Sequence, residues 1–331
     1  MGFWDWLRSL FGKKDEPEGQ IKELKDKISR LDDELENVTQ ERDQFKWLLE
    51  ETPLEKPWRY DEYENHEDDL FSQDTKDGIL GNIDSTQFPA NCRYINLLVV
   101  GLFGSGKSSF INTAKTVLRN SGEISTIAAV YGEYFDPLTE KLHEVVLKEF
   151  QDGKRLRIYD CRGIRADRGI QSHDLEKTIN GFVRNDYRYN PENEIDENDE
   201  SYRQNPVLED EMHGVLFVAD AEKFKEIENA DIAIFRDLRQ FLIEKGIPQR
   251  LILTKMDRLH LCKPDLRWIF KSRQAEERGD MATKAFNMQP NQVFPISNYV
   301  QESVQRIPHD ILALKVIKNI LDAACEYVEQ R

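Results

Sequence analysis

The feature that most constrains the fold of this chain is a glycine-rich turn between an apolar strand pattern and a helical pattern. Residues 94–100 form a compact apolar run, Gly101-Leu-Phe-Gly-Ser-Gly-Lys-Ser108 follows at once, and residues 108–119 have helical periodicity. The turn fits the phosphate-binding pattern G-x4-G-K-S, or P-loop, in the strand–loop–helix context that this pattern requires. We therefore predict a nucleotide-binding domain built around this loop.

The residue types of the P-loop each suit phosphate. Glycines let the backbone curl so that successive N–H groups point at phosphate oxygens, and the helix N-terminus adds partial positive charge. Lys107 is expected to neutralise the β and γ oxygens, and the Ser108 hydroxyl to ligate Mg²⁺. The residues predicted to bind nucleotide here are Gly101, Gly104, Ser105, Gly106, Lys107, Ser108 and Ser109.

Asp160-Cys-Arg-Gly163 directly follows a second predicted strand, at residues 155–159. A carboxylate at a strand's carboxyl end can hold Mg²⁺ through water, and the Gly163 N–H can reach a γ-phosphate. A bare turn would also fit these four residues. The position of the motif, one hairpin beyond the P-loop helix, favours the functional interpretation.

Thr254-Lys-Met-Asp257 follows the predicted strand at residues 250–253. A carboxylate at Asp257 can accept hydrogen bonds from guanine N1–H and N2–H₂, a donor pair that adenine lacks. Lys255 can lie over the base with its aliphatic stem, and Ser297, after the last strand, can back the base. We therefore predict guanine rather than adenine, bound by Thr254, Lys255, Asp257 and Ser297.

A further hydroxyl is expected to close over the metal and the γ-phosphate. Thr126 lies at a plausible distance beyond Ser108, so the predicted metal-binding residues are Ser108, Asp160 and Thr126. Ser125 and Thr113 are alternatives for this position.

Strand and helix patterns alternate through residues 92–331. Strands at residues 141–150 and 155–159 flank Asp152-Gly153, a hairpin signal. Further strands are predicted at 214–219, 250–253 and 292–296, and helices at 230–245 and 311–329. The pattern predicts an α/β, P-loop GTPase-like domain with a mostly parallel sheet and one antiparallel edge strand.

P-loop, D-x-x-G and T-K-x-D in this order resemble the translation-factor-related class of GTPases. Four stretches are more narrowly similar to the interferon-induced protein 44 family: Pro57-Trp-Arg59, Gly106-Lys-Ser-Ser-Phe110, residues 179–191 and Phe294-Pro-Ile-Ser-Asn298. This resemblance covers residues 57 to about 330. It implies a cytoplasmic GTP-binding protein of the innate antiviral response, with GTP or GDP and Mg²⁺ as cofactors. Many members carry a different domain ahead of the GTPase part, whose functions do not transfer to this chain.

Binding and hydrolysis are separate questions, so no catalytic residue is assigned. Small GTPases commonly place a Gln after D-x-x-G to orient water, whereas this chain has Ile164 there and the bulky Phe103 inside the P-loop. We expect slow hydrolysis unless a partner or a second copy supplies the missing group. Arg162 and Arg165 are candidates for stabilising charge or are simply solvated.

Two different helical patterns precede the domain. Residues 3–11 form a short amphipathic stretch, within a predicted helix at 1–14, that could lie on a membrane surface or pack on protein. Apolar residues then recur at heptad spacing through 21–49, interrupted by Arg42, which predicts a coiled coil at 18–51 and a homodimer. A helix folded back on the domain is the alternative.

The formal charge of −16 is concentrated in two segments. Residues 52–91 hold ten acids against three bases, and residues 185–212 hold ten against two. The first is predicted as an acidic linker or a partly ordered lead-in to the domain. The second is predicted as an acidic insert of the domain at 92–331, and a disordered, solvated excursion is favoured over a partner site. With no compensating basic face, nucleic acid is not an expected partner.

The four cysteines show no paired spacing, so reduced thiols and a cytoplasmic location are expected. The leading hypothesis is a slow GTPase regulated by nucleotide state and self-association. A nucleotide-binding scaffold without turnover and a membrane-associated oligomerising GTPase are the alternatives.

Overall fold

In a computed structural model the chain divides into two compact units, Met1–Thr52 and Pro53–Arg331. The structure describes residues 16–59, 70–126, 141–164, 170, 172–190 and 192–331, without the side chains of residues 16–21, 24 and 51. The predicted amphipathic segment 3–11 lies outside the described residues. Within the described part, no helix combines the length and the apolar character needed to cross a bilayer.

The first unit is described as one long helix, α1 (Glu16–Glu51), which ends two residues before Pro53. The apolar side chains of its heptad pattern are solvent-exposed in the single chain. They are between 54% and 66% exposed at Ile28, Leu31, Leu35, Val38, Phe45 and Leu49. Because helices gain most of their stability from packing an apolar face, α1 presents a seam suited to another helix.

The second unit is built on a six-stranded sheet with the order β2-β3-β1-β4-β5-β6. The strands are β1 (Tyr94–Gly101), β2 (His143–Glu149), β3 (Arg155–Asp160), β4 (Gly214–Asp220), β5 (Gln249–Thr254) and β6 (Val293–Pro295). Neighbouring strands run parallel except β2 and β3, which form the predicted hairpin. The predicted α/β fold with an antiparallel edge strand is confirmed.

The helices of this unit pack on the sheet in two groups. They are α2 (Gln73–Asp84), α3 (Lys107–Arg119), α4 (Ser172–Ile179), α5 (Asn229–Glu244), α6 (Arg273–Phe286) and α7 (Ile307–Glu329). Helices α2 and α3 contact α7, whereas α4, α5 and α6 contact one another in succession. A Cβ on Gly214 would lie 3.1 Å from Ile320 Cδ1, so this glycine lets α7 approach β4 closely.

The segment predicted as an acidic linker differs from that prediction over its described residues. Helix α2 lies inside it, capped by the Ser72 side chain, and buries Leu80 and Ile83. Upstream, the Trp58 indole donates to the Ile269 carbonyl at 2.9 Å. This short helix is capped at its N-terminus and buries few apolar side chains. Its apolar periodicity is therefore hard to recognise among the surrounding acidic residues.

The acidic insert is also folded where it is described, contrary to its interpretation as a solvated excursion. Tyr187 and Tyr189 are buried and meet edge to face, with ring centroids 5.2 Å apart. The Ile195 N–H donates to the buried Asp174 carboxylate at 2.9 Å. Aromatic side chains between the acids supply the burial that average composition hides.

Candidate functional site

Parallel strands bring the three motifs to one edge of the sheet. Val99 in β1 is in register with Asp160 at the end of β3, and Asp220 at the end of β4 is in register with Thr254 at the end of β5. The P-loop follows β1 at this same carboxyl edge. In open α/β sheets, ligands bind in the crevice outside the carboxyl ends of the strands.

The conformation of the P-loop depends on its glycines. Gly104 and Gly106 have φ values of 72° and 96°, in the left-handed region that favours glycine. A Cβ on Gly106 would lie 3.1 Å from the Asn298 amide and 3.2 Å from the Thr254 hydroxyl. One on Gly101 would lie 2.4 Å from the Val218 carbonyl oxygen. The loop is therefore packed tightly against Thr254, Asn298 and Val218. Its last residues lead directly into the first turn of α3.

Lys107 lies inside the loop and is almost fully buried. Its ammonium donates to the carbonyls of Gly101 at 3.3 Å and Leu102 at 3.1 Å. Burial lowers the pKa of Lys107, and the neighbouring Asp160 carboxylate opposes that shift. A lysine ammonium has three donors, so this cation is poised over the loop with capacity for an anionic oxygen.

Ser108 and Asp160 form an oxygen pair at the base of the loop. The Ser108 hydroxyl donates to Asp160 Oδ2 at 2.7 Å. Hydroxyl and carboxylate oxygens are the ligands that Mg²⁺ prefers, and it commonly takes only one or two of them from protein. These two residues therefore fit a magnesium ion. Ser109 is buried beside them in the first turn of α3.

The D-x-x-G segment is held against the P-loop by backbone contacts. A Cβ on Gly163 would lie 2.9 Å from the Phe103 backbone nitrogen, so the close approach requires glycine. The Ile164 N–H donates to the Gly101 carbonyl at 3.0 Å, and its side chain is fully buried. Ile164 thus packs the segment onto the core. Phe103, by contrast, is 45% exposed.

The loop Ser297–Asn298–Tyr299, which we call the base loop, connects Asp257, the residue predicted to recognise the base, to the P-loop. Ser297 donates to Asp257 Oδ1 at 2.5 Å. Asn298 donates to the Gly106 carbonyl at 3.2 Å. Thr254 donates to the Ser105 carbonyl at 2.6 Å. The predicted base-binding and phosphate-binding residues therefore form one hydrogen-bonded assembly.

Two features beside the predicted base-binding residues were not predicted from the sequence, namely Asp220 and a cavity next to Asp257. The Lys255 ammonium donates to Asp220 Oδ2 at 2.6 Å, which fixes its side chain. Asp257 opens on a cavity of about 520 Å³, whose wall includes Glu302, Arg306 and His309. The position of Asp220 at the end of a buried strand is the signal that could have identified it.

Thr126, the predicted switch residue, is exposed and is the last residue described before 127–140. Its role at the metal stays a prediction. Thr113, one alternative, is buried and donates to the Ser109 carbonyl at 2.8 Å. Ser125, the other, is buried as well. Arg165 lies outside the described residues, whereas Arg162 is half-buried.

Solved structures similar to this chain include nucleotide-bound ones. Toc33 from Arabidopsis thaliana in complex with Mg²⁺ and GMPPNP is 16% identical, with a TM-score of 0.43 over 77% of this chain and 92% of that one. A probable GTP-binding protein, engB, is 14% identical, with a TM-score of 0.36 over 71% of this chain and 99% of that one. The assignment of the fold rests instead on the strand order and the P-loop described above.

Curated relatives match most of the second unit. No family model matches the chain. Interferon-induced protein 44 of Mus musculus is 28% identical over 236 residues, 70% of this chain and 55% of that protein. The Homo sapiens protein is 27% identical over 71% of this chain and 53% of its own length. Human interferon-induced protein 44-like is 25% identical over 240 residues, 71% of this chain and 52% of its own length.

The chain spans about half the length of these curated relatives. Across the matched region it is a homologue of the interferon-induced protein 44 and 44-like proteins, which confirms the relationship predicted from its motifs.

Proposed function

We propose that this chain is a guanine-nucleotide-binding protein that holds GTP or GDP with Mg²⁺, self-associates through α1 and acts in an interferon response. The observation that carries the proposal is the position of Asp257. Its carboxylate is fixed by Ser297 at 2.5 Å on the same base loop that donates to the P-loop at Gly106. A guanine-specific acceptor is thus tied to a phosphate-binding loop.

The chemistry of each part supports this function. A fixed carboxylate accepts from guanine N1–H and N2–H₂, whereas adenine offers no such pair of donors. Lys107 contributes a buried cation at the phosphates, with the first-turn N–H groups of α3 around it. Mg²⁺, when bound by Ser108 and Asp160, supplies charge neutralisation at phosphate oxygens.

A change of base preference tests the proposal directly. Asp257→Asn replaces one acceptor by a donor, which suits xanthine because xanthine carries a carbonyl where guanine carries its amino group. We expect the affinity for GDP to fall by about 100-fold, since buried polar groups left unpaired weaken binding strongly. The affinity for xanthosine diphosphate should rise. Fluorescence titration with labelled diphosphates measures both affinities.

Lys107→Ala is the companion variant, because it removes a phosphate contact that all nucleotides share. We expect it to weaken the binding of GDP in the wild-type background. It should weaken the binding of xanthosine diphosphate in the Asp257→Asn background to the same extent. If the unaltered protein binds ADP as tightly as GDP, or binds neither, the proposed function is wrong.

Self-association through α1 is supported by its exposed seam and by charge pairing along it. In a parallel two-stranded pairing, Lys27 would face Asp32 and Glu41 would face Lys46 of the second copy, each an opposite-charge pair. The relatives' name, interferon-induced protein, motivates the proposed biological setting. The four cysteines are free buried thiols, which supports a cytoplasmic location.

Hydrolysis is proposed to be slow, because the position after D-x-x-G is occupied by a buried aliphatic side chain. Ile164 offers no hydrogen bond to orient water and is committed to the core. A nucleotide-binding scaffold without turnover is favoured by the same observation. Single-turnover phosphate release at rising protein concentration separates the two: a rate that rises with concentration indicates an enzyme activated by self-association, and no release indicates a scaffold.

A further inference from the structure

Tyr299 ties the base loop to the rest of the domain through both its backbone and its side chain. Its N–H donates to the Thr113 hydroxyl in α3 at 2.9 Å. Its phenol hydroxyl donates to Asp310 Oδ1 in α7 at 2.7 Å. The ring also stacks on His309, with centroids 5.2 Å apart and planes 18° apart. The same hydroxyl accepts the Arg306 N–H at 2.6 Å, so Asp310 and the Arg306 backbone together hold the base loop in position.

Asp310 in turn depends on a residue far away in the sequence. Its carboxylate is fully buried and pairs with the Lys76 ammonium of α2 at 2.7 Å. Lys76 is itself only 6% exposed. A buried carboxylate that loses a paired cation is strongly disfavoured, so it moves toward other partners. That movement alters the acceptor that holds the Tyr299 hydroxyl.

We propose that Lys76 is a positioning residue for the nucleotide site, acting through Asp310 and Tyr299 on the base loop. This inference rests on the proposed guanine-nucleotide function and adds a regulatory connection to it. Helix α2 precedes the sheet and lies in the segment whose sequence resembles a linker, yet its docking sets the geometry of Asp257 and Gly106. Whatever displaces α2, such as a competing partner, then releases bound nucleotide.

Coupling of this kind is reciprocal. If docked α2 strengthens nucleotide binding, bound nucleotide must strengthen the docking of α2 by the same factor. The coupling is carried by a contiguous series of contacts: Lys76 to Asp310, Asp310 to Tyr299, and the base loop to Asp257 and to the P-loop.

The chain offers a matched control for a purely structural role of Lys76. Lys148 in β2 pairs with Asp84 at the other end of α2, at 2.5 Å. This pair joins α2 to the sheet rather than to α7 and is more exposed than the Lys76–Asp310 pair. Neither Lys148 nor Asp84 contacts the base loop in the described structure. Lys76→Met and Lys148→Met therefore both remove an ion pair of α2, and only the first touches the proposed connection.

The test uses the full chain and labelled GDP. We expect Lys76→Met to raise the GDP dissociation rate by about 10-fold, within the usual range of coupling between sites, and Tyr299→Phe to act similarly. Lys148→Met should change that rate less than about 2-fold, even if it lowers the melting temperature. Because Lys76 acts through Tyr299, the double variant should be little worse than either single variant.

Hydrogen exchange on the unaltered protein provides a second measurement that needs no variant. GDP should increase the protection of amides in residues 73–84 and leave the hairpin turn at residues 150–154 unchanged. Unaltered exchange in α2, or equal effects of the two lysine variants on dissociation, would overturn the inference while GDP binding itself stands. Absence of GDP binding by the unaltered protein would instead refute the proposed function.

Discussion

Helices α1 and α7 both have a long apolar pattern. That pattern is buried in α7 and exposed in α1. In α7, Ile311, Leu314 and Ile317 are at most 1% exposed, covered by the sheet and by α2 and α3. In α1, the corresponding heptad residues are more than half exposed. The second unit therefore completes its own core, whereas the described apolar residues of α1 stay exposed in the single chain. This difference separates what each unit can do alone.

The largest expected effect concerns the seam of α1. Leu35→Lys places a charge at an interior heptad position in both copies of the proposed dimer. Losing a buried leucine costs about 2–5 kcal/mol at a site, and two copies double the loss, so we expect self-association to disappear at micromolar concentration. Sedimentation velocity measures it. Asp33→Lys, at the outer position of the preceding heptad, is the control and should leave self-association intact.

Unchanged self-association in Leu35→Lys would contradict the assignment of α1 as a dimerisation helix. If Leu35→Lys leaves the assembly state unchanged while destabilising the second unit, then α1 is covered by its own chain. The alternative considered from the sequence, a helix folded back on the domain, would then replace the coiled coil.

The second-largest expected effect is on the stability of the second unit, whose core is complete without α1. Gly101→Ala puts a Cβ 2.4 Å from the Val218 carbonyl oxygen, and we expect about 3 kcal/mol of destabilisation from such overpacking. Gly78→Ala in α2 is the matched control, because a Cβ there meets nothing within 4 Å. It should stabilise the unit by about 0.5–1 kcal/mol. Urea denaturation followed by tryptophan fluorescence measures both, and equal effects would contradict the geometry.

The third prediction is a pH dependence that belongs to the second unit. His213 is fully buried, its Nδ1 accepts the Asn96 N–H at 3.1 Å, and its Nε2 lies 2.9 Å from the Leu208 carbonyl. Burial lowers the pKa of His213 to about 4. The unfolded histidine takes up a proton below about pH 6.5, whereas the folded one does not until about pH 4, so acid favours unfolding in that interval.

The expected loss is about 2 kcal/mol in the free energy of unfolding between pH 6.5 and pH 5. Denaturation at several pH values checks this slope, which His213→Gln should flatten. His143→Gln, at an exposed position of β2, should not change it. Helix α1 contains no histidine, so a slope that vanishes on deleting α1 would show that the assignment is mistaken.

The smallest expected effect is on nucleotide affinity when residues 1–52 are removed. Because every residue assigned to the base and the phosphates lies in Pro53–Arg331, the Kd for GDP should change less than about 2-fold, a free-energy change of about 0.4 kcal/mol. Isothermal titration of the two proteins measures it. A large loss of affinity would mean that the two units are not independent in function.

Local signals predicted the P-loop and the elements beside it well. The helix after the loop, the Asp152-Gly153 hairpin and the strands that end at Asp160 and Thr254 lie close to their predicted bounds. These elements are marked by continuous apolar runs and by glycines whose conformations only glycine adopts easily. Helix α2 was missed because its few buried side chains lie among acids.

Side-chain partners were beyond local reasoning. Asp220 lies 35 positions from Lys255, and Lys76 lies more than 200 positions from Asp310, yet both pairs are in contact. Pairs at such separations follow from strand order and helix docking, which no window of neighbouring residues contains. Ile164 was interpreted only as a missing catalytic group, whereas its burial gives it a packing role.

Local spacing and residue type were enough to predict the P-loop, the order of the three motifs, the α/β class and the heptad pattern of α1. The tertiary structure decided how the motifs join. It placed Asp257, Gly106 and Ser105 in one hydrogen-bonded assembly and connected that assembly to α2 through Tyr299 and Asp310. The reason is physical: a hydrogen bond between distant residues exists only after packing has brought them within about 3 Å of each other.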